Sequence, residues 1–398
     1  MKGDLLEKRL RERVGPVGEL FGVTAPLRAC PLGAHVDHQG GEVTGLALDR
    51  AVRLLARPRD EPVITLESVG FPGVIEVDLR RGGQRRGDWG DYLRAVVAEL
   101  SERGDLSRGL DGVMQGDLVG MGVSSSAAVM VAYCLALAEV NRIELKRSEI
   151  AHLIQRAENR HIGVASGLLD QSVILFAETG KLTHIDCGDS TVDQIAPEAP
   201  LPDFRIVIAF SGMARQLTGT DYNDRVGECR EAALVLLSGA GVDPGPDPLL
   251  CQVAPGMYAE QGPRLPENLR RRAAHYFTEV VRVHDGIAAW RRGDLHAFGA
   301  LMTASGESSI VNYECGTPPM VALFESLREA PGVFGARFSG AGFGGSCLAL
   351  VAAGATDDII ERVSRTYTAA FPEAARKAQY AVCRPAGRAE VVAAGEFS

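Results

Sequence analysis

The densest polar chemistry in this chain lies in PLRACPLGAHVDHQGG, residues 26–41, where Arg28, His35, Asp37 and His38 stand among prolines and glycines. Three chemistries use side chains of these types. His35-x-Asp37-His38 matches the tail of an H-x-H-x-D-H zinc pattern, yet its first histidine position is Gly33, and the other histidines offer no evident third ligand. A local turn is the plain alternative, with the Asp and His side chains bonding nearby backbone. A sugar-binding turn is the third, with the same groups accepting from and donating to vicinal hydroxyls.

Two glycine-bearing segments are candidate anion cradles. GMGVSSSA, residues 120–127, stands directly before the strongest helical run. A helix N-terminus offers unpaired N–H groups and partial positive charge, so phosphate is favoured there. Gly120 and Gly122 let backbone approach, and the hydroxyls of Ser124, Ser125 and Ser126 can reach phosphate or Mg²⁺; an ordinary serine-capped helix is the plainer reading. The second segment, SGAGFGG at 339–345, satisfies G-x-G-x-x-G at Gly340, Gly342 and Gly345. The apolar CLALV that follows reads as a strand, whereas a dinucleotide fingerprint must open a helix, so that fold is excluded. A tight glycine hairpin, or a second backbone contact to the phosphates or to the first loop, remains. No G-x-x-x-x-G-K-[ST] occurs, which excludes a P-loop.

These segments need a frame of both helices and strands. Residues 5–20 suit a short amphipathic helix, 43–56 and 63–79 alternate as strands, and 92–100 is helical. The run 127–138 is apolar on every face and predicts a core helix; 147–160 predicts another. Pro197, Pro200 and Pro202 make 191–202 the best linker, and FRIVIAF, 204–210, opens a second domain as a buried strand. A Gly- and Pro-rich loop at 239–255 precedes helices over 268–290 and 295–305. The sequence has 398 residues, long enough for a sizeable core. Its net charge of −9 excludes a global nucleic-acid footprint. No apolar run is long enough for a membrane span, no secretory leader is evident, and eight scattered cysteines without a C-x-x-C pair suggest a reduced, cytoplasmic protein. Glycine, at 46 residues, is well above the usual ~7% and calls for many unusual backbone positions.

Taken in order, the 26–41 turn, GMGVSSSAA and RFSGAGFGGSCLALV resemble three motifs of the GHMP kinases, a family that includes galactokinase and mevalonate kinase. The likeness runs over nearly the whole chain. It implies an α+β, two-lobed fold: an N-terminal α/β lobe of the ribosomal protein S5 domain 2-like kind over 1–196, and a C-terminal ferredoxin-like lobe over 197–398. ATP and substrate would lie between them. GLLDQ, 167–171, is similar to the family's G-x-x-D-Q, which implies Asp170 as general base on the anomeric hydroxyl, with Arg28 beside it. RAEN implies Glu158, with Ser126, as Mg²⁺ ligands. Gly120, Gly122, Ser124, Ser125, Ser126 and Gly342 would face ATP, and Trp89 and Tyr92 of DWGDY would stand near the adenine.

For the sugar, the resemblance implies Ala34, His35, Asp37, His38, Arg215 and Tyr222. Where galactokinases read G-E-H-T-D-Y, this chain reads GAHVDH. That glutamate accepts from the sugar 6-hydroxyl in galactokinases; Ala34 would admit a carboxylate at C6, with His38 or Arg215 as its donor. CPLGAHVDHQGG, GLLDQS, AFSGMARQLT, SSIVNYECG and APGVFGARFSGAGF are more similar to family members acting on galacturonic acid than to galactokinases. The expected reaction is Mg²⁺-dependent transfer from ATP to the anomeric hydroxyl of D-galacturonate. Galactose or glucuronate is the alternative acceptor, and a catalytically silent sugar sensor is the alternative of another class. The expected partners are ATP and an anionic monosaccharide, with neither nucleic acid nor membrane, in a monomer or homodimer.

Overall fold

The computed structural model describes residues 2–213 and 221–397. After helix α1 (Lys2–Val14), the N-terminal sheet is laid down by β1 (Phe21–Ala29), β2 (Glu42–Arg59), β3 (Val63–Ser68) and β4 (Phe71–Asp78). Helix α2 (Asp91–Ser101) leads into β5 (Gly109–Gly116), and the strands run β1-β2-β5-β3-β4 across the sheet. The 18-residue β2 is the spine: it pairs with β1 on one side and β5 on the other, and its first residues pair with β6. Helix α3 (Ser125–Asn141) has no polar face because it packs against β1, β2 and β5 and against α2. Its position fixes the end of GMGVSSSA beside β1.

The helix expected over 147–160 divides in two. Helix α4 (Arg147–Arg156) ends in a π-helical turn, Ala157–Ile162, closed by Gly163 with positive φ. The wider turn holds Glu158 in the interior, a device frequent at functional sites. Helix α5 (Leu169–Phe176) and the hairpin of β6 (Leu182–Asp186) and β7 (Thr191–Ile195) complete this lobe. The expected linker 191–202 therefore begins as an edge strand, since Thr191–Ile195 alternates and finds a partner in β6; only the stretch with the prolines is extended connection.

Strand β8 (Phe204–Phe210) opens the second lobe. Helices α6 (Asp221–Gly239), α7 (Pro255–Gln261), α8 (Glu267–Arg291), α9 (Leu295–Val311) and α10 (Pro318–Arg328) follow. Then come the hairpin β9 (Val333–Ser339) and β10 (Ser346–Ala352), α11 (Thr356–Ala370), the short α12 (Pro372–Ala375) and β11 (Gln379–Cys383). The order β11-β8-β10-β9, antiparallel throughout, is the ferredoxin-like arrangement. Beyond Arg205 at its start, FRIVIAF is apolar at every position because both faces of this sheet are covered: Ile206 and Ile208 join one core cluster, Val207 and Ala209 the other.

The chain then crosses back. β12 (Pro385–Ala386) pairs with β2 and β13 (Glu390–Ala393) with β1, so residues 385–393 lie on the N-terminal sheet although they follow the C-terminal lobe. Trp290 at the end of α8 donates to the Ile195 carbonyl, and the core cluster around α3 also takes in Ile206, Phe298 and Leu348. The lobes thus share packed side chains. All eight cysteines are free, and among the described residues no helix is long and apolar enough to cross a membrane.

Candidate active site

The turn after β1 is held from outside itself. Gly33 has φ +94°, and a Cβ there would meet the Val43 Cα at 2.4 Å, so only glycine permits the turn against β2. From α8, Glu279 accepts the N–H groups of Gly33 (2.9 Å) and Ala34 (3.1 Å). His275, one turn earlier, lies 2.8 Å through Nε2 from the Ala34 carbonyl oxygen and 2.9 Å through Nδ1 from Ser308. Both backbone polar groups of Ala34 are therefore clamped. Burial pushes the Glu279 carboxyl up, but His275, Arg282, Arg337 and the Ser305 hydroxyl outweigh it and hold it down at about 2. It stays ionised where the turn needs an acceptor. His35, also at positive φ, stacks on Tyr313 with ring centroids 4.2 Å apart.

Asp37 follows on a single 3-10 turn, and its carboxylate accepts the N–H groups of Leu169 and His38. This brings the turn against GLLDQ. A Cβ on Gly167 would lie 2.5 Å from the Asp37 carboxylate, which gives the first glycine of that motif its physical reason. Asp170 then falls in the first turn of α5, where Arg28 Nε donates to its Oδ1 at 2.6 Å and the Ser124 hydroxyl donates to its Oδ2. Burial alone would weaken the Arg28 charge; Asp170 more than restores it. The same burial, with Asp170 nearby, raises the Asp37 carboxyl to about 6.

Ser124 occupies the N-cap position of α3 but at φ +59°, with its side chain turned to Asp170 and no cap hydrogen bond to the helix. The expected serine cap is thus absent: at positive φ the hydroxyl turns from the helix N–H groups and donates to the Asp170 carboxylate. The first N–H groups of α3 keep their positive end for an anion. Ser125 and Ser126 open the helix, half-buried, and Gly120 and Gly122 precede them with positive φ. The second glycine loop packs onto the first: the Ser339 hydroxyl donates to the Gly122 carbonyl at 2.7 Å, and β10 follows it as a strand.

Arg28, Ala34, His35 and Asp37 line one cleft with Asp170 and Tyr222, and Ser126 and Glu158 stand in the same lining. Glu158 accepts from the Ser166 hydroxyl at 2.6 Å. Other expected residues lie elsewhere. His38 is buried on the far side of the turn, bounding a second, larger cavity; its Nε2 meets Tyr313 Oη at 3.1 Å and its Nδ1 meets Gln39 Nε2 at 3.0 Å. Burial lowers its pKa to about 3, so it is a neutral ring with both nitrogens engaged. Trp89 donates to the Pro72 carbonyl and stacks with Phe71, away from the cleft, whereas Tyr92 of the same DWGDY lines it. Gly342 lies against Cys315, with its neighbours Gly340 and Ala341 on the cleft wall. Arg215 lies outside the described residues.

Two features have little signal in the sequence. Glu279 and His275 sit on a helix that reads as ordinary, and Arg337 stands two residues before a glycine loop that draws attention to itself. Arg337 lines the cleft and is 2% exposed.

The chain matches the model of the GHMP kinases N terminal domain over residues 91–178 and that of the GHMP kinases C terminal domain over 287–372. It is 42% identical to the galacturonokinase of Arabidopsis thaliana over 378 residues, covering 89% of each chain. The chain belongs to the GHMP kinases. It is also 33% identical to the galactokinase of Chloroflexus aurantiacus, covering 94% of this chain and 93% of that one. The crystal structure of Lactococcus lactis galactokinase complexed with galactose superposes with a TM-score of 0.89 at 30% identity, covering 98% of this GHMP kinase and 99% of that chain. Methanococcus jannaschii mevalonate kinase, at 18% identity and a TM-score of 0.66, shares the fold.

Proposed function

We propose that the protein is a sugar 1-kinase that phosphorylates the anomeric hydroxyl of D-galacturonate with ATP, giving α-D-galacturonate 1-phosphate and ADP. The observation that carries the reading is one cleft lined by Arg28, Asp170 and Glu158 together with Ala34. Asp170 takes the hydroxyl proton as the anomeric oxygen bonds to the γ-phosphorus; the bond to the β-phosphate oxygen breaks and ADP leaves. A loose phosphoryl-transfer transition state asks for positioning more than for a strong base. A carboxylate held by Arg28 and Ser124 suits that task. Arg28 also balances charge on the transferring group.

The uncapped start of α3, with Gly120, Gly122, Ser124 and Ser125 before and within it, receives the phosphates. One carboxylate and one hydroxyl in the same lining, Glu158 and Ser126, are hard-oxygen groups that would hold Mg²⁺ beside the phosphates. Among the described residues no cluster of three or more His, Cys, Asp or Glu could hold a metal by itself. Mg²⁺ would neutralise phosphate charge there. Sugar hydroxyls are met by Asp37, His35 and Tyr222. Both substrates are anions and the chain carries −9, so attraction has to be local.

ADP release measured side by side with galacturonate, glucuronate and galactose tests the reading. Galacturonate is expected to give the highest kcat/KM, and a preference for galactose would overturn the choice of substrate.

A further inference from the structure

Four arginines are buried among the described residues: Arg28, Arg94, Arg272 and Arg337. Three have carboxylate partners. Arg28 meets Asp170, Arg94 meets Asp88 and Asp91, and Arg272 meets Glu228 and Glu314. Arg337 is different. Its Nη1 donates to the Cys30 carbonyl at 3.0 Å and its Nε, like that of Arg94, is buried with no hydrogen-bond partner; unlike Arg94, it has no described carboxylate within ion-pair distance. The carboxylate acting on it from nearby, Glu279, is already taken up by Gly33, Ala34, Ser305 and Arg282.

An orphaned guanidinium N–H in a protein interior is costly, and a buried guanidinium with no carboxylate directly bonded to it is more so, even with Glu279 nearby. A ligand carboxylate in the cleft would complete it. Arg337 lines the cleft that holds Ala34 and Asp170, and the backbone of Ala34 is fixed from both sides. Position 34 therefore cannot supply the missing anion.

We infer that Arg337 is the specificity-determining residue that receives the substrate's C6 carboxylate, in the space that Ala34 leaves open. The inference rests on the reading of the substrate as a hexuronate. Of the two groups that the sequence suggests for this role, His38 has both ring nitrogens engaged outside the cleft, and Arg215 lies outside the described residues, so the inference is made among the described ones. Arg28 is engaged with Asp170. A planar guanidinium with a free Nε is the geometry that pairs with a carboxylate through two parallel bonds. Discrimination then has two parts, a small residue that removes repulsion and a buried cation that supplies attraction.

The test uses the full chain and three acceptors: galacturonate, its neutral methyl ester and galactose. For the wild type, KM should be lowest for galacturonate; lower KM and higher turnover with galactose overturn the substrate reading itself. With galacturonate preferred, Arg337→Gln should raise its KM by roughly 10- to 100-fold, the worth of a charge-assisted pair, while galactose changes by much less. Arg337→Lys keeps the charge without the fork and should fall between. Ala34→Glu sets a carboxylate of the chain in the same space and should exclude galacturonate while sparing galactose. Equal losses on both sugars across these variants overturn the role of Arg337 and leave the substrate reading intact. Should the Arg337 variants not fold, the ester decides: wild-type enzyme that binds ester and free acid equally well overturns the role.

Discussion

At the proposed phosphate end of the cleft, most groups come from short stretches of chain, 120–126, 167–170 and the turn between β9 and β10, with Arg28 and Glu158 brought in from β1 and the π-helical turn. The proposed sugar end hangs from α8, with Gly33 and Glu279 separated by 246 residues. The first end depends on backbone, on positive φ at Gly120, Gly122 and Ser124 and on uncapped helix N–H groups. The second depends on buried side chains that fix an otherwise plain turn. Phosphate is the same in every ATP, so a rigid local motif can specify its cradle. Sugars differ at their edges, and what reads an edge can be brought by any element packed nearby. Damage at the two ends should therefore separate, the first appearing in kcat and the second in KM.

The largest effect is expected at the phosphate end. Asp170→Asn keeps the shape but loses the base and the ion pair with Arg28, and kcat should fall by about a thousandfold. Galacturonate binding by titration calorimetry should change by only a few-fold; turnover within tenfold of wild type would rule out Asp170 as the base. An intermediate effect belongs to the sugar end. Glu279→Gln weakens the clamp on Gly33 and Ala34 and leaves Arg282 less well paired, at a cost to stability of about 2–4 kcal/mol in thermal unfolding. KM for galacturonate and galactose should rise together, with kcat far less altered. A loss confined to galacturonate would mean that Glu279 acts on the carboxylate and not on the turn.

The same contrast explains what could be read from the sequence. The glycine-serine segment before α3, the β9–β10 glycine turn, G-x-x-D-Q and the core helix α3 were all legible as local features, because each is a pattern whose residues carry their own conformational or chemical constraint. Tyr92 and Trp89 form one motif yet part company in the structure, since Trp89 stands in the loop before α2 and Tyr92 in the helix's first turn. His38 looks like a cleft donor next to Asp37, but the 3-10 turn sends it to Tyr313. Long-range registry is what periodicity lacks: nothing in 385–393 announces that it returns to β1 and β2, and nothing in α8 announces that Glu279 and His275 hold Ala34. A buried, unpaired Arg337 is visible only when its neighbours are.

The smallest expected effect sits where the two ends meet. Asp37 belongs to the sugar turn, but the charge that disturbs it is Asp170. Burial first, and then Asp170, raise its carboxyl to about 6, against the pull of the Leu169 and His38 N–H groups and of Arg28. Above that pH the ionised group accepts from sugar hydroxyls; below it, one oxygen becomes a donor. KM for galacturonate and for galactose should therefore rise a few-fold as pH falls from 7.5 to 5.5, with the midpoint near 6, and Asp37→Asn should flatten the profile at the higher KM. Stability runs the other way. A carboxyl whose folded pKa exceeds its unfolded value near 3.9 contributes stability that is full below that value and is lost as pH rises through about 6. Asp37→Asn should thus raise Tm at pH 8, with the gain shrinking as pH drops through 6. A gain independent of pH would mean that neither burial nor the neighbouring Asp170 charge raises the Asp37 carboxyl.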